Sequence, residues 1–231
     1  MARHALPAGH RAPRGRAPRG GAASLSSPGT GTLADAVAAL AAGGLVVFPT
    51  ETVYGLGAQA RSPEAVAHLV EVRGREAGKP ILVLVADLEM AATVSREPSL
   101  AVRRLAERFW PGALTLVLPA RDGLPAPLTA GTGTIGIRVP AHPAARALVA
   151  GAGGPVTAPS ANPPRAEPPR TVEAARAYFG DAVAVYVDGG ALPGGASTVA
   201  SVEQGQLRVL RAGPIPESAL RAALNEKPWR S

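Results

Sequence analysis

The chain has 231 residues, 46% of them hydrophobic, and a formal net charge of +7 at pH 7. It contains no cysteine, which excludes disulfides, thiolate zinc sites and a cysteine nucleophile. No apolar run reaches the roughly 18 residues of a membrane span, so we expect a soluble protein. The four histidines are scattered along the chain, and we expect any metal to be held by oxygen atoms and substrate phosphates.

Residues 1–29 are rich in Arg, Pro, Gly and Ala and lack periodic apolar positions, which predicts a disordered tail. The tail carries five arginines and no acid, so removing it lowers the net charge from +7 to +2. The rest of the chain is then nearly balanced, which is weak evidence for RNA binding by the folded part. Three interpretations of the tail stay open: a dispensable or mis-assigned start, a non-specific RNA-binding arm, or a transit peptide.

Residues 30–225 are predicted to form one domain, followed by a short tail at 226–231. Helix patterns cover residues 33–42, 62–72, 99–109, 142–151 and 171–178. Strand patterns cover residues 45–48, 81–85, 114–118, 134–139, 155–158, 183–187, 198–202 and 207–211. Because the last strands follow one another without helices, we predict an α/β fold of the α+β-like kind, with one mixed, twisted sheet flanked by helices.

The first polar cluster is PTETVYGLG, residues 49–57, which leaves a predicted buried strand and turns on two glycines. Open α/β sheets place ligands at such strand ends, because backbone donors and short hydroxyls project into a crevice there. The glycine pair alone indicates only a turn, since it matches neither the full dinucleotide fingerprint nor a Walker loop.

Two further clusters follow a helix and a short strand. Arg73, Arg75 and Lys79 lie at the end of a predicted helix, where they either satisfy its last carbonyls or form a polyphosphate clamp. Ser160 and Asn162 come after a strand. They are either turn residues before the next helix or partners for phosphate oxygens and the water shell of Mg²⁺.

A lone arginine, Arg138, interrupts the apolar strand pattern at residues 136–140. Burying an unpaired guanidinium is very costly, so Arg138 either faces a cleft and an anionic group or pairs with a structural carboxylate. Residues 195–199 and 211–213 are similar polar interruptions near strand ends.

In chain order, the motifs PTETVYGLG, RGREAGKP, WPGALTLVL, GIRVPAHP, APSAN, STV and LRAGPI resemble those of the YrdC/Sua5/TsaC family over residues 32–222. The resemblance implies a twisted sheet around a positively charged concave groove. It also implies synthesis of L-threonylcarbamoyladenylate and pyrophosphate from L-threonine, bicarbonate or CO₂, and ATP, with Mg²⁺ accompanying the ATP. The chain looks like the short form, without the Sua5-type C-terminal domain.

The resemblance further implies that the product passes to a tRNA threonylcarbamoyl transferase complex, which modifies the adenosine beside the anticodon. We expect a cytoplasmic location and no membrane partner, with a mitochondrial location as the alternative. Binding of tRNA or double-stranded RNA stays open.

The residues implied by the resemblance are grouped by role. L-threonine would be bound by Thr50, Arg138, Ser197 and Thr198. The catalytic, phosphate-binding set would be Arg73, Arg75, Ser160 and Asn162. ATP would also contact Thr132 and Arg211, and Tyr54 would wall the pocket.

The sequence departs from the family pattern at two positions near the predicted phosphate site. Arg73 stands where the family usually has lysine, an exchange that is not conservative at such a site, and Pro163-Pro164-Arg165 replaces a Ser-Gly. Two alternative functions are a paralogue with other carbamoyl-adenylate or acyl-adenylate chemistry and a non-catalytic double-stranded RNA-binding module.

Overall fold

The computed structural model describes Met1 and residues 30–74 and 78–225. The remainder of the two predicted tails, at 2–29 and 226–231, lies outside the described residues, and so does Arg75. No helix in the described part is long and apolar enough to cross a membrane.

Six of the described helices begin at a residue whose side chain accepts a hydrogen bond from a backbone N–H of the first turn. Thr32 and Asp35 form a capping box at the first helix: the Thr32 hydroxyl accepts from the Asp35 N–H, and the Asp35 carboxylate accepts from the Thr32 N–H. The helices are α1 (Leu33–Ala41), α2 (Pro63–Arg73), α3 (Leu88–Ala91), α4 (Leu100–Phe109), α5 (Ala126–Thr129), α6 (Pro143–Ala152), α7 (Val172–Phe179) and α8 (Glu217–Asn225). A 3₁₀ turn follows α7 at Gly180–Ala182.

The described strands are short, and three of the ladders between them are parallel whereas the others are antiparallel. They are β1 (Val46–Phe48), β2 (Gly55–Gly57), β3 (Val83–Leu84), β4 (Leu114–Pro119), β5 (Thr134–Arg138), β6 (Val156–Thr157), β7 (Val185–Tyr186), β8 (Thr198–Glu203) and β9 (Gln206–Arg211). The larger sheet has the order β6-β3-β5-β4-β8-β9, with β3–β5 and β4–β8 parallel.

The prediction of one sheet was wrong, because β2-β1-β7 form a second, three-stranded mixed sheet. In this sheet β1 is antiparallel to β2 and parallel to β7. The sequence predicts a turn at Gly55–Gly57, because a three-residue strand with two glycines has the composition of a turn. Isolated bridges Gly55↔Ser160 and Gln59↔Val156 connect this region to the chain around β6.

The core explains why β5 can present a charged residue at its end. Ile135 and Ile137 are fully buried in the larger hydrophobic cluster, and each buried side chain of this size contributes about 1.5–3 kcal/mol. A second cluster packs α1 and α6 against the strands. β5 therefore runs through the core and ends at Arg138, which is paired with Leu84 of the parallel strand β3.

Candidate functional site

A cavity of about 390 Å³ opens at the end of β5, which is within the size range of small-molecule sites. It is lined by residues from the loop after β1, the end of α2, the loop after β6 and the turn before β8. Five cations line it, and none of the described lining residues is Asp or Glu. The cations are Arg73, Lys79, Arg138, Arg165 and Arg211.

Arg138 lies at the buried end of the cavity, with 3% of its side chain exposed. Its Nη1 lies 3.1 Å from Oε1 of Glu51, whose side chain is 19% exposed. Burial lowers the pKa of Arg138, while the Glu51 carboxylate raises it and neighbouring Arg211 lowers it. An arginine stays protonated under such conditions. Arg138 thus lines a cavity and also pairs with a carboxylate of the protein, and its contact with an anionic ligand stays a prediction.

Glu51 supports Arg138 from outside the cavity, since it is not a lining residue whereas Arg138 is. Both Glu51 carboxylate oxygens are buried, and neither makes a hydrogen bond with a described residue. The Arg138 Nε is also buried and makes no hydrogen bond with a described residue. Each charge thus depends on the other for stabilisation, because nothing else in the described surroundings satisfies these atoms.

A second arginine holds a serine at the same end. Arg211 donates from Nε to the Ser197 carbonyl and from Nη2 to the Ser197 Oγ, both at 3.0 Å. The Ser197 Oγ also lies 2.8 Å from the Oγ1 of Thr115, a buried residue of β4. Burial lowers the pKa of Arg211. Ser197 is therefore fixed by two side chains from neighbouring strands.

A glycine lets these strands approach. A Cβ on Gly213 would lie 2.3 Å from the Thr198 backbone nitrogen and 2.6 Å from the Ser197 carbonyl carbon. Both contacts are to backbone, so they cannot be relieved by a side-chain rotation. The absence of a side chain at Gly213 is what allows the segment after β9 to hold Arg211 beside Ser197.

Two threonines of the first cluster share a hydrogen-bond network. The Thr50 hydroxyl donates to the Val53 carbonyl at 2.7 Å and accepts from the Thr52 N–H at 3.2 Å. The two hydroxyl oxygens are 3.1 Å apart, and since the Thr50 proton is already donated, Thr52 is the donor here. Both threonines line the cavity. The Thr52 hydroxyl can still accept a hydrogen bond from a ligand, whereas the Thr50 hydroxyl oxygen already accepts two.

The other end of the cavity joins the second and third clusters. Arg73, the last residue of α2, donates from Nε to the Ser160 carbonyl at 3.0 Å. The Asn162 amide nitrogen donates at 2.9 Å to the carbonyls of both Pro163 and Ala166, which fixes the orientation of the amide. The Asn162 Oδ1 is then buried without a donor from the described residues. This end therefore presents an unused acceptor beside its cations.

Tyr54 lines the cavity, and its hydroxyl is used within the protein. The hydroxyl donates to the Gly190 carbonyl and accepts from the Gly189 N–H, both at 2.9 Å. Burial is the main cause that raises the pKa of Tyr54 to about 12. Tyr54 therefore stays protonated near neutral pH and holds the loop after β7 beside the cavity.

Two predicted site residues do not reach the cavity. The fully buried Thr198 hydroxyl donates to the Ile215 carbonyl at 2.8 Å and accepts from the Ile215 N–H at 3.0 Å. Thr132 precedes β5 at the end opposite Arg138, and its hydroxyl donates to the Thr129 carbonyl at 2.6 Å. Neither is a lining residue. Their hydroxyls serve local backbone structure instead.

The sequence reasoning missed Glu51, Thr52, Thr115 and Arg165. Thr115 had a usable signal, because it is a polar residue inside an apolar strand, as Arg138 is. Glu51 and Thr52 lie inside the first polar cluster, whose side chains the sequence cannot separate by direction. Arg165 was noted only as a departure from a family pattern.

The family model Sua5_yciO_yrdC, described as "Telomere recombination", matches residues 38–213. The chain belongs to the Sua5/YciO/YrdC family. The resemblance found in the sequence motifs is confirmed, and so is the mixed α/β fold with a YrdC-like architecture.

Members of the Sua5/YciO/YrdC family with similar sequences come from several bacteria. The chain is 39% identical over 194 residues to the threonylcarbamoyl-AMP synthase of Bacillus subtilis, a match that covers 83% of this chain and 56% of the relative. It is also 39% identical over 193 residues to the putative threonylcarbamoyl-AMP synthase of Mycobacterium tuberculosis, covering 83% and 88%. The chain thus spans little more than half of the first relative and most of the second.

Solved structures of the Sua5/YciO/YrdC family match the fold. P. abyssi Sua5 complexed with L-threonine has a TM-score of 0.79 at 35% identity, covering 84% of this chain and 57% of that one. E. coli YciO has a TM-score of 0.72 at 26% identity, covering 81% and 92%.

Proposed function

We propose that this chain synthesises L-threonylcarbamoyl-AMP and pyrophosphate from L-threonine, CO₂ supplied by bicarbonate, and ATP. The observation that carries the proposal is the cavity with five cations and no carboxylate among its described lining residues. A cavity of this composition forms a positively charged groove and favours anionic ligands. The names of the relatives and the L-threonine bound to P. abyssi Sua5 support the choice of substrates.

L-threonine binds at the Arg138 end, which comprises Thr50, Thr52, Arg138, Ser197 and Arg211. The Arg138 fork takes the amino-acid carboxylate through charge-assisted hydrogen bonds. Thr52 and Ser197 supply hydroxyl groups to the amino and hydroxyl groups of the substrate, and Thr50 orients Thr52. A small zwitterion suits this end because its partners are already held in place.

The ATP phosphates bind at the Arg73 end, which comprises Arg73, Lys79, Ser160, Asn162 and Arg165. The buried Asn162 Oδ1 is an acceptor and cannot pair with a phosphate oxygen, which is also an acceptor. It fits Mg²⁺ or one of its water ligands, because Mg²⁺ prefers oxygen donors and retains several waters. Bound Mg²⁺ neutralises charge on the phosphates. We assign the remaining nucleotide contacts to Arg211, which lies at the Arg138 end beside Ser197.

The reaction needs positioning and charge neutralisation rather than a nucleophilic side chain. The threonine amine adds to CO₂ and loses a proton, which gives an N-carboxylate. One carboxylate oxygen then bonds to the α-phosphorus of ATP, the bond to the β-phosphate oxygen breaks, and pyrophosphate leaves with that electron pair. The cavity residues hold the two anions in line and stabilise the charge that builds up.

The product is a mixed anhydride, and a transferase must consume it before water does. We propose that the acceptor enzyme is the tRNA threonylcarbamoyl transferase complex and that both act in the cytoplasm. Binding of RNA by this chain is not needed for the synthesis itself.

Pyrophosphate release tests the proposal. The full chain is incubated with ATP, Mg²⁺ and radiolabelled bicarbonate, with and without L-threonine. We expect release to require both L-threonine and bicarbonate, with label in an AMP-linked product. An Arg121→Ala variant, which removes an exposed cation outside the cavity, should behave as the wild type. Threonine-independent hydrolysis, or no labelled nucleotide, would contradict the proposed reaction.

A further inference from the structure

Arg165 occupies a backbone position that favours glycine. The Ala166 N–H donates to the Pro163 carbonyl at 3.1 Å, so residues 163–166 form a β-turn with Pro164 second and Arg165 third. Arg165 has φ 68°, the positive value that the third residue of a type II turn requires. A side chain in this conformation costs free energy that glycine would avoid.

The surrounding contacts impose this conformation on Arg165. The Asn162 side chain holds the turn closed, because its amide nitrogen donates to the carbonyls of both Pro163 and Ala166. The turn also packs against the end of α2, where a Cβ on Gly74 would lie 3.2 Å from Pro164 Cδ. The turn is therefore a fixed part of the Arg73 end.

No contact with the described residues explains an arginine at this position. Arg165 is exposed and lines the cavity, and its guanidinium makes no hydrogen bond or ion pair with any residue in the described ranges. Backbone strain at a ligand cavity, without a contact in the described ranges to offset it, points to a contact with the ligand.

We propose that Arg165 binds the phosphates of ATP that leave as pyrophosphate. This inference rests on the proposed function. Asn162 is buried at the same turn whereas Arg165 is exposed, so Arg165 serves the outer part of a chain of phosphates. Its planar fork can bind two phosphate oxygens at once.

The substitution Arg165→Gly separates the effect of residue 165 on stability from its effect on ATP binding. Glycine fits the positive φ, so the unfolding midpoint should rise by about 2–4 °C, while the loss of the cation should raise the KM for ATP about tenfold. The KM for L-threonine should stay within about twofold. Arg165→Lys keeps the charge but loses the planar fork, so it should restore only part of the affinity for ATP.

Gln204→Gly is the matched control. Gln204 also has a positive φ, of 50°, in the turn between β8 and β9, and it does not line the cavity. This variant should gain stability with an unchanged KM for ATP. An Arg165→Gly variant whose KM for ATP is unchanged, or whose two KM values rise together, would overturn the inference.

Calorimetric titration with ATP and Mg²⁺ in the absence of L-threonine keeps this test separate from the proposed reaction. If the wild type binds ATP but forms no threonine-dependent pyrophosphate, the proposed reaction fails. The dissociation constant of Arg165→Gly relative to Gln204→Gly then still decides the inference. A tenfold weaker constant supports it and an equal one overturns it.

Discussion

The two ends of the cavity use cations in different ways. At the Arg138 end, Arg138 is buried against Glu51, and Arg211 is held by two hydrogen bonds to Ser197. At the Arg73 end, Lys79 and Arg165 are exposed. The cations of the Arg138 end are thus held in place before any ligand binds. Two cations of the Arg73 end are instead exposed to solvent.

The difference follows from what each end is proposed to bind. A small zwitterion has one geometry, and fixed partners recognise it with little loss of conformational entropy. A triphosphate is larger and changes on reaction, since part of it must leave as pyrophosphate. Exposed arginine and lysine side chains can follow that change, at the cost of weaker individual contacts.

Glu51→Gln should give the largest effect, because it removes the one carboxylate that acts on buried Arg138 in the described structure. Leaving a buried charge without its partner costs about 3–5 kcal/mol. We also expect the KM for L-threonine to rise about tenfold while the KM for ATP changes little. Denaturant unfolding and steady-state kinetics measure these effects.

The control for Glu51→Gln is Glu71→Gln, which alters an exposed carboxylate on α2. It should leave the free energy of unfolding and the KM for L-threonine unchanged. A Glu51→Gln protein as stable as the wild type, with the same KM for L-threonine, would show that the Arg138 end does not depend on this ion pair.

Gly213→Ala should have an intermediate effect. The added Cβ would meet the backbone around Ser197 and Thr198, and overpacking of this kind costs about 1–3 kcal/mol. We expect a lower unfolding free energy and a higher KM for L-threonine. Gly154→Ala is the matched control, since its Cβ would meet nothing within 4 Å. Equal stability of the two variants would contradict the close approach.

Thr115→Val should have the smallest effect of these three. It removes the hydroxyl 2.8 Å from Ser197 Oγ but leaves both Arg211 hydrogen bonds in place. The loss of one such hydrogen bond costs about 0.5–1.5 kcal/mol, and the KM for L-threonine should rise a few-fold. Thr134→Val removes a similar hydroxyl pair at the far end of β5 and should leave that KM unchanged. An equal change in the KM for L-threonine in both variants would mean that Thr115 does not position Ser197.

The sequence predicted much of the fold because most helices and strands carry clear local signals. Ser62-Pro63 marks the start of α2, and the apolar run around Leu116 marks β4. The division into two sheets could not be predicted. It depends on the pairing of Gly55–Gly57 with β1, which is a non-local contact made by residues typical of turns.

The sequence also predicted which clusters meet, but not which atoms are available. Arg138 and Ser197 line the cavity, whereas Thr198, the neighbour of Ser197, points its hydroxyl to Ile215. Adjacent strand residues face opposite sides of a sheet, and the sequence does not say which side holds the ligand. The availability of Thr52 and of the Asn162 Oδ1 follows from hydrogen bonds that only the folded structure reveals.

Calorimetric titration of L-threonine and of ATP into Arg138→Ala and Arg73→Ala tests the division of the cavity most directly. We expect Arg138→Ala to lose L-threonine binding by a factor of about 100 or more and to keep its affinity for ATP. Arg73→Ala should lose ATP binding and keep L-threonine binding. Retention of L-threonine by Arg138→Ala, or equal loss of both ligands in both variants, would contradict the assignment of the two ends.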